Sequence, residues 1–351
     1  MTINEIKLRR LANHYLIDKG NKQNVVKDLC GIQAQFMQNA IHALKIRCSD
    51  FDDKTISDGL VKNWTLRGTV HVFSEDDLPL FLNCNDGKDY RKNEWKGYSF
   101  WNQRDKWALS PERQKIFSDI ILAALSDNVK TRDELKEICR QNGMTQTEED
   151  SMFDPWGGGI RELCERGFIN YTVKEKKEYC TSPEFDPLPK ANAEIELARR
   201  YFTNYGPATI HDAQYFFKTT ATKVKEWLKV LPIESIVCNN KTYFFIDNGK
   251  VYNKNIPKCI FLAGFDQLML GYEKKESLIL KQEHIRSIFN LAGIVMPSIL
   301  LNGEIVGKWK KKNGTFSAEI FENINSCDCK LIKDSAEELW KDITKANITT
   351  I

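Results

Sequence analysis

The chain has 351 residues, of which 42% are hydrophobic and 28% are charged. This composition is typical of an ordinary globular protein and excludes a disordered chain. The length predicts two or three domains, or several small ones packed together. With 51 basic and 48 acidic residues, the net charge of +3 neither requires nor excludes a nucleic-acid partner, because the charge of a local face matters more than the sum.

Several features predict a cytoplasmic protein with no membrane partner. The longest apolar run, residues 292–301, is interrupted by Gly293 and Pro297 and falls short of the ~20 residues that a membrane helix needs. The polar N-terminal segment has no apolar core and no cleavage site, so we expect no secretory signal. The ten cysteines are scattered along the chain, and we interpret them as reduced core thiols.

A pattern of short helices followed by a hairpin, which is typical of a winged-helix module, occurs three times along the chain. The first copy is predicted to contain three helices, over residues 4–17, 25–30 and 35–46. A helical turn over 55–61 and a strand over 64–73 follow them. A connector follows from Ser74 to Trp107, with a helix that Ser74 caps.

The second copy begins at Ser110, a predicted N-cap, and its first helix runs to about residue 126. Thr131 and Glu134 form a capping box, which predicts a second helix to about residue 140. A third helix is expected to end before Gly167, because glycine is common just after a helix C-terminus. Strands over residues 168–173 and 178–181 complete this copy as its wing.

The third copy has the same order of elements. Its helices are predicted over residues 191–205, from Thr209 onward, and over 220–230, and its wing strands over 233–237 and 242–246 with a turn at Asn239-Asn240.

From about residue 256 the pattern changes to strands, predicted over 259–263, 294–301, 304–312 and 316–321. Asn302-Gly303 predicts a hairpin turn, because both residues tolerate positive φ. Ser335 begins a further capping box, which predicts a terminal helix over residues 335–347. The sequence thus predicts an α+β fold of three tandem winged-helix modules and a small β-domain, with domains at 1–108, 109–189, 190–255 and 256–351.

Five stretches of the chain carry a family resemblance. The first is Gly31-Ile32-Gln33-Ala34-Gln35. The others are WTLRGTVH at 64–71, ARRYF and YGPAT within 198–209, FDQLMLGY at 265–272 and LNGEIVGKWK at 301–310. In order and spacing these stretches resemble the AlkZ/YcaQ-like DNA glycosylases, a winged-helix DNA-binding family, and the first resembles the family's QxQ motif.

The resemblance implies three winged helices around a concave DNA-binding face and a C-terminal β-barrel-like domain. It implies a monofunctional glycosylase without lyase activity, which repairs double-stranded DNA by removing N7-alkylated guanine, including bulky adducts and interstrand crosslinks. Gln33 and Gln35 match the family's catalytic glutamines, and glutamine at the second position places the chain in the AlkZ-like branch rather than the QxD branch of YcaQ.

The chemistry of the lesion is compatible with two neutral amides. An N7-alkylated guanine is cationic, so its glycosidic bond is weak and the base leaves neutral without a general acid. Such a reaction needs a positioned water and groups that tolerate an oxocarbenium-like sugar. A glutamine carbonyl accepts a hydrogen bond from water, and its amide donates to a phosphate or sugar oxygen. Gln33 and Gln35 share a face only if the backbone between them is extended.

The candidate residues have alternative interpretations. Glutamines at a helix start are commonly solvated caps, and Asp266, a candidate supporting carboxylate, is equally suited to be a helix N-cap. Arg67, Thr69 and His71 would share one face of the predicted strand and contact phosphate, or form a buried polar network.

Three clusters of basic residues are candidate DNA contacts, each with a solvated face as the alternative. The clusters are Lys308, Lys310, Lys311 and Lys312 with Trp309; Lys218, Lys223, Lys225 and Lys229; and Arg91, Lys92, Lys96, Arg104 and Lys106 among aromatic residues. The isolated histidines and the absence of a zinc pattern, a P-loop or a dinucleotide fingerprint lead us to expect no metal and no cofactor.

Two other functions compete with a glycosylase that acts as a monomer. A transcription regulator would use winged helices to bind operators, but regulators usually carry one such module per chain and dimerise on half-sites. A non-catalytic protein that binds distorted DNA is the third possibility. Release of N7-methylguanine from a duplex separates the enzyme from both.

Overall fold

The computed structural model describes residues 1–65, 68–82, 108–154, 158–252 and 254–350. Arg67, a predicted phosphate contact, therefore lies outside the described residues. So do residues 83–107 of the predicted connector, which include the third basic cluster. The chain divides into two compact units. The first unit comprises Met1–Gln33, Asn39–Phe51 and Ala198–Ile351, and the second comprises Ala34–Gln38 and Asp52–Leu197.

In the described part of the chain, the α-helices are α1 (Ile3–Asn13), α2 (Lys22–Asp28), α3 (Met37–Lys45), α4 (Leu78–Phe81), α5 (Pro111–Leu125), α6 (Arg132–Gln141), α7 (Gln146–Met152), α8 (Gly159–Glu165), α9 (Lys190–Asn204), α10 (Ile210–Phe217), α11 (Ala221–Val230), α12 (Gln267–Leu270), α13 (Ile285–Ile288) and α14 (Ser326–Leu339). The strands are β1 (Ile32–Gln33), β2 (Leu60–Trp64), β3 (Val70–Ser74), β4 (Lys130–Thr131), β5 (Ile169–Tyr171), β6 (Glu178–Thr181), β7 (Glu234–Cys238), β8 (Lys241–Phe245), β9 (Cys259–Leu262), β10 (Ser298–Leu301), β11 (Glu304–Lys312), β12 (Thr315–Ile320) and β13 (Lys345–Thr350). No described helix combines the length and the hydrophobicity needed to cross a bilayer.

Local capping begins several helices where the sequence predicts it. The Thr131 hydroxyl accepts from the Glu134 N–H, and the Glu134 carboxylate accepts from the Thr131 N–H at 2.7 Å, which is the capping box of α6. Ser110 caps α5 in the predicted position, and Thr209 forms a capping box with Asp212 at the start of α10. These contacts satisfy N–H groups that have no partner inside the helix.

The second unit contains a sheet in which five strands pair in the order β3-β2-β5-β6-β4. The two strands predicted at the end of the second copy are confirmed as a hairpin, because β5 and β6 form an antiparallel pair. Helices α5, α6 and α8 supply apolar side chains to the core of this unit, among them Phe117, Leu135 and Leu163, and β5 adds Ile169.

The single strand predicted over residues 64–73 is wrong. The chain forms two strands there, β2 and β3, which pair antiparallel around a tight turn. The Thr65 N–H donates to the Thr69 carbonyl, and Gly68 supplies the positive φ of 74° that this turn requires. Strand β2 also begins at Leu60, so the last two residues of the helical turn predicted over 55–61 belong to this strand instead.

The C-terminal sheet of the first unit is open. Its strands pair in the order β13-β12-β11-β10-β9, all antiparallel except that β13 joins β12 in parallel. A barrel needs its first and last strands to pair. Here β9 and β13 are the two edges, so the predicted barrel-like form is wrong. One face of the sheet packs in a core that includes Phe316, Ile320 and, from α14, Ile332 and Ala336.

The terminal helix predicted over residues 335–347 is also wrong in position. Asn325 is the N-cap of α14, and its side chain accepts from the Asp328 N–H at 2.8 Å. Ser335 therefore lies within the helix instead of starting it. The helix stops at Leu339 because the chain that follows turns and adds β13 beside β12, where the backbone gains a ladder of hydrogen bonds.

The third predicted copy shows the expected order, with α9, α10 and α11 followed by the hairpin β7–β8. Its turn is confirmed, because Asn239 and Asn240 both adopt positive φ, at 47° and 58°. That the three copies are winged-helix modules, and the four domain boundaries drawn from them, stay predictions.

Candidate active site

The segment that carries Gln33 and Gln35 follows a sharp turn at the end of α2. Cys30 and Gly31 adopt positive φ, at 52° and 82°, and the Gly31 N–H donates to the Val26 carbonyl at 2.9 Å. This left-handed ending is a common helix C-cap, and glycine allows it without strain. Gln33 then lies in β1, and Gln35 lies in the bend that leads into α3.

The two glutamines have different environments. Gln33 is only 6% exposed, whereas Gln35 is exposed to solvent. Among the described residues, neither side-chain amide has a hydrogen-bond partner. Gln33 is buried in a strand, which does not fit the alternative of a solvated helix cap, and its carbonyl and NH₂ remain available to a ligand.

Two tyrosines hold the backbone just before this turn. The Tyr205 hydroxyl donates to the carbonyl of Leu29 at 2.8 Å, two residues ahead of Gly31. The Tyr272 hydroxyl in turn donates to the Tyr205 carbonyl at 3.0 Å. Both rings are buried, and they belong to the YGPAT and FDQLMLGY stretches. Three of the stretches that carry the family resemblance therefore meet at the end of α2.

Asp266 forms a buried ion pair with Arg47, which lies just after α3. The guanidinium donates to both carboxylate oxygens, at 2.6 and 3.0 Å, and both side chains are fully buried. The carboxylate also accepts from the N–H groups of Leu268 and Ala263, so it is the N-cap of α12. The N-cap alternative is thus the observed geometry, and any support from Asp266 to catalysis stays a prediction.

His42 joins α3 to the C-terminal sheet. Its Nε2 lies 2.7 Å from the carbonyl of Phe261 on β9. The imidazole packs against Trp309 and Trp340, with ring centroids 4.9 and 5.5 Å away. The Trp309 indole donates to the Leu262 carbonyl at 2.9 Å. Trp309, a predicted DNA contact, therefore has its one donor bonded inside the protein, and its contact with DNA stays a prediction.

The burial of His42 predicts a pH dependence of stability. Burial lowers the pKa of His42 to about 4, although the hydrogen bond to Phe261 acts in the opposite direction. In the unfolded chain the pKa is about 6.5, so protonation favours unfolding. The contribution of neutral His42 is complete above pH ~6.5 and is lost as the pH falls towards 4. We expect the urea midpoint of His42→Phe to change less over this range than that of the wild type.

The matched control for this measurement is His211→Phe, because the His211 side chain is 66% exposed. Its profile between pH 6.5 and 4 should depart from that of the wild type less than the profile of His42→Phe does. Parallel profiles for the wild type and His42→Phe would contradict the assignment.

The hairpin of β2 and β3 places His71 and Thr69 differently from the prediction. His71 is fully buried, and its Nδ1 lies 3.0 Å from both the Thr65 hydroxyl and the Thr69 carbonyl. Thr69 and His71 do not lie on one strand, because Thr69 is in the turn that precedes β3, and Arg67 lies outside the described residues. For His71 the buried polar network, given above as the alternative, is the observed environment, while Thr69 is half-buried in the turn.

Lys308 and Lys310 lie two residues apart on β11 and point to the same face of the sheet. Lys308 pairs with Glu319 at 2.6 Å, and Lys310 is exposed. Their contact with DNA stays a prediction.

One group of side chains brings together possible metal ligands, contrary to the expectation that the histidines are isolated. His284 Nε2 lies 3.0 Å from a carboxylate oxygen of Glu322, and Glu283 is close by. Lys281 binds the same Glu322 oxygen at 2.5 Å and already balances its charge. We therefore interpret the group as a surface ion-pair network.

Comparison with known proteins agrees with the resemblance that the five stretches carry. A family model described as DNA glycosylase AlkZ-like matches residues 26–340. The chain belongs to this family. An interstrand DNA cross-link repair glycosylase from Streptomyces sahachiroi is 26% identical over 311 residues, which cover 82% of this chain and 81% of that protein. The solved structure of the Streptomyces sahachiroi DNA glycosylase AlkZ aligns over 100% of both chains, with a TM-score of 0.78 and 19% identity, and so has the same fold.

Sequence reasoning missed several residues that position the glutamine segment of this glycosylase. Arg47 lies just after α3 and His42 lies within it. Each is 219 residues from its partner, Asp266 and Phe261 respectively, which is too far for the sequence to indicate the pairing. Trp340 lay inside the misplaced terminal helix. The one available signal was the presence of Asp266 and Trp309 in stretches that resemble the family.

Proposed function

We propose that this family member is a monofunctional DNA glycosylase that hydrolyses the N-glycosidic bond of N7-alkylated guanine in double-stranded DNA. Bulky adducts and interstrand crosslinks through N7 belong to the same substrate class, because they share the cationic base. The relative that is named an interstrand DNA cross-link repair glycosylase supports this extension. Gln33 and Gln35 position the water, and the protein acts as a monomer without a cofactor.

The observation that carries the proposal is the side chain of Gln33, which is largely buried in β1 while its amide has no hydrogen-bond partner among the described residues. In the described part of the chain nothing satisfies its carbonyl or its NH₂, although the side chain is 6% exposed. The amide is not among the polar groups that are sealed from solvent without a partner, so a water molecule or a ligand can reach it. The exposed Gln35, two residues on, adds a second amide on the solvent side.

The chemistry proceeds with few demands on the protein. Water attacks C1′ of the sugar while the bond from C1′ to N9 breaks, and the electron pair of that bond neutralises the cationic base. The water loses one proton to solvent, so atoms and charge balance. The glutamine carbonyl orients the water, and no residue needs to protonate the leaving base. Undamaged guanine is a much poorer leaving group, so selectivity follows partly from the lesion itself.

Two amides also favour an enzyme without lyase activity. Strand cleavage by a glycosylase uses an amine that forms a Schiff base with the sugar. Glutamine side chains do not form one. The expected product is therefore an abasic site in an unbroken strand.

The test uses a duplex with a single N7-methylguanine and, as a matched substrate, the same duplex with a neutral adduct, ethenoadenine. We expect release of N7-methylguanine at a rate well above its spontaneous loss, and no release of ethenoadenine. Strand breaks should appear only after alkali treatment, measured on a denaturing gel. A crosslinked duplex joined through two N7 atoms should be converted into single strands.

Equal release of both bases would contradict the role of the cationic charge, and breaks without alkali would contradict the monofunctional assignment. No release at all, together with a palindromic footprint on undamaged DNA, would support the transcription regulator instead.

A further inference from the structure

The outer face of the open C-terminal sheet is polar and basic. Along β11, alternate residues Lys308, Lys310 and Lys312 point away from the core, while Trp309 and Lys311 point towards the opposite face. The burial pattern of β12 alternates in the same way, with Phe316, Ala318 and Ile320 buried and the residues between them half-exposed. On β13 the residues at 345, 347 and 349 are exposed.

The register of the strands assembles these residues into rows. Directly paired residues point to the same face. Lys312 pairs with Thr315 and Thr315 with Lys345, which makes one row. The next rows join Lys310 to Ser317 and Asn347, and Lys308 to Glu319 and Thr349. We call this set the basic sheet face.

The basic sheet face carries four lysines and one glutamate. Glu319 is already paired with Lys308 at 2.6 Å. Lys310, Lys312 and Lys345 are exposed, and no ion pair to another described residue involves them. Hydroxyl and amide groups from the β12 and β13 residues lie between the lysines. The face therefore has an excess of positive charge and neutral donors, which complements a polyanion.

The shape of the face also suits a chain of phosphates. A concavity of about 490 Å³ on the sheet is lined by residues that include Lys308, Lys310, Ser317 and Asn347. Alternate residues on a strand are about 6.8 Å apart. Successive phosphates along one DNA strand have a similar separation, so neighbouring lysines on β11 can meet neighbouring phosphates.

We propose that the basic sheet face binds the sugar-phosphate backbone of duplex DNA, independently of sequence. Lysines contact the phosphates, and Ser317, Asn347 and Thr349 donate to phosphate or sugar oxygens. The proposal rests on DNA as the substrate of this family and not on which base is removed. The face contributes affinity and leaves the chemical step unchanged.

The test compares two triple variants on undamaged duplex DNA by fluorescence anisotropy at several salt concentrations. The first removes three lysines of the face, in Lys310→Ala/Lys312→Ala/Lys345→Ala. The control removes three exposed lysines on or next to α14, which covers the opposite side of the sheet, in Lys330→Ala/Lys333→Ala/Lys341→Ala. The net charge changes equally in both.

We expect the face variant to bind on the order of tenfold more weakly at moderate salt. The slope of log Kd against log salt should fall by about 2–3, since each lost phosphate contact removes about 0.9. The control variant should bind as the wild type does. The affinities are measured on undamaged duplex and need no base release, which separates this inference from the proposed reaction.

A third variant tests the opposite direction. Glu319→Gln removes the one negative charge of the face and releases Lys308, so we expect tighter binding and a steeper salt slope. Unchanged affinity of the face variant, or an equal loss in the control variant, would overturn the proposal. So would a face variant that has lost affinity only for single-stranded DNA.

Discussion

Replacement of Gln33 or Gln35 by alanine is expected to lower the single-turnover rate of N7-methylguanine release by on the order of 100-fold or more. The reason is that Gln33 and Gln35 supply the proposed water-orienting carbonyls. Because the two amides act on one water, the double variant should lose little more than the worse single variant. The rate is measured with enzyme in excess over duplex.

Gln38→Ala is the matched control, because Gln38 is an exposed glutamine in the first turn of α3, three residues after Gln35. It should retain the wild-type rate. Gln35→Asp should retain part of the activity, since a carboxylate also accepts a hydrogen bond from water and since the resemblance includes a QxD branch. Duplex affinity and thermal unfolding should remain close to wild type in all of these variants. A full rate in Gln33→Ala would remove the main support for the proposed mechanism.

Breaking the buried ion pair should cause the largest loss of stability. We expect Arg47→Ala and Asp266→Ala each to lower the free energy of unfolding by about 3–5 kcal/mol. The remaining partner would be a buried charge without compensation, and Asp266→Ala would also remove the N-cap of α12. Urea unfolding followed by circular dichroism measures the change.

The exposed pair of Lys254 and Asp18 provides the control, with side chains 59% and 65% exposed. Asp18→Ala should cost less than about 1 kcal/mol, because solvent screens such pairs. The apolar double variant Arg47→Met/Asp266→Leu should recover much of the loss, since it leaves no unpaired charge. A cost below 1 kcal/mol for Arg47→Ala would show that the pair is not the buried contact described.

The ion pair and His42 have a common consequence for the site. Within the first unit, Asp266 binds Arg47, just after the end of α3, and the Phe261 carbonyl binds His42 in α3 itself. Both contacts therefore hold the C-terminal half of α3. Tyr205 holds the end of α2 in the same unit. The glutamine segment runs between these two helices, so its backbone is anchored on both sides. Such anchoring suits a site whose proposed task is to orient a water molecule.

Much of the fold follows from short-range chemistry that the sequence displays. Thr131 with Glu134 begins α6, and Thr209 begins α10, because each cap satisfies backbone N–H groups only two or three residues away. The turns at Asn239-Asn240 and Asn302-Gly303 follow from the tolerance of these residues for positive φ. The order and spacing of the five stretches, the glutamine motif among them, were sufficient to identify the family.

Other features depend on contacts between residues that are far apart in the chain. Only the tertiary structure pairs Arg47 with Asp266, turns residues 345–350 into a strand beside β12 and divides β11 into a buried and a basic face. Capping and turn preferences act over a few residues, whereas ion pairs and strand pairing are set by how distant segments pack. The sequence by itself therefore predicted the helix caps and the tight turns. The partners of the buried charges and the edge strands of the C-terminal sheet were decided by the packing of distant segments.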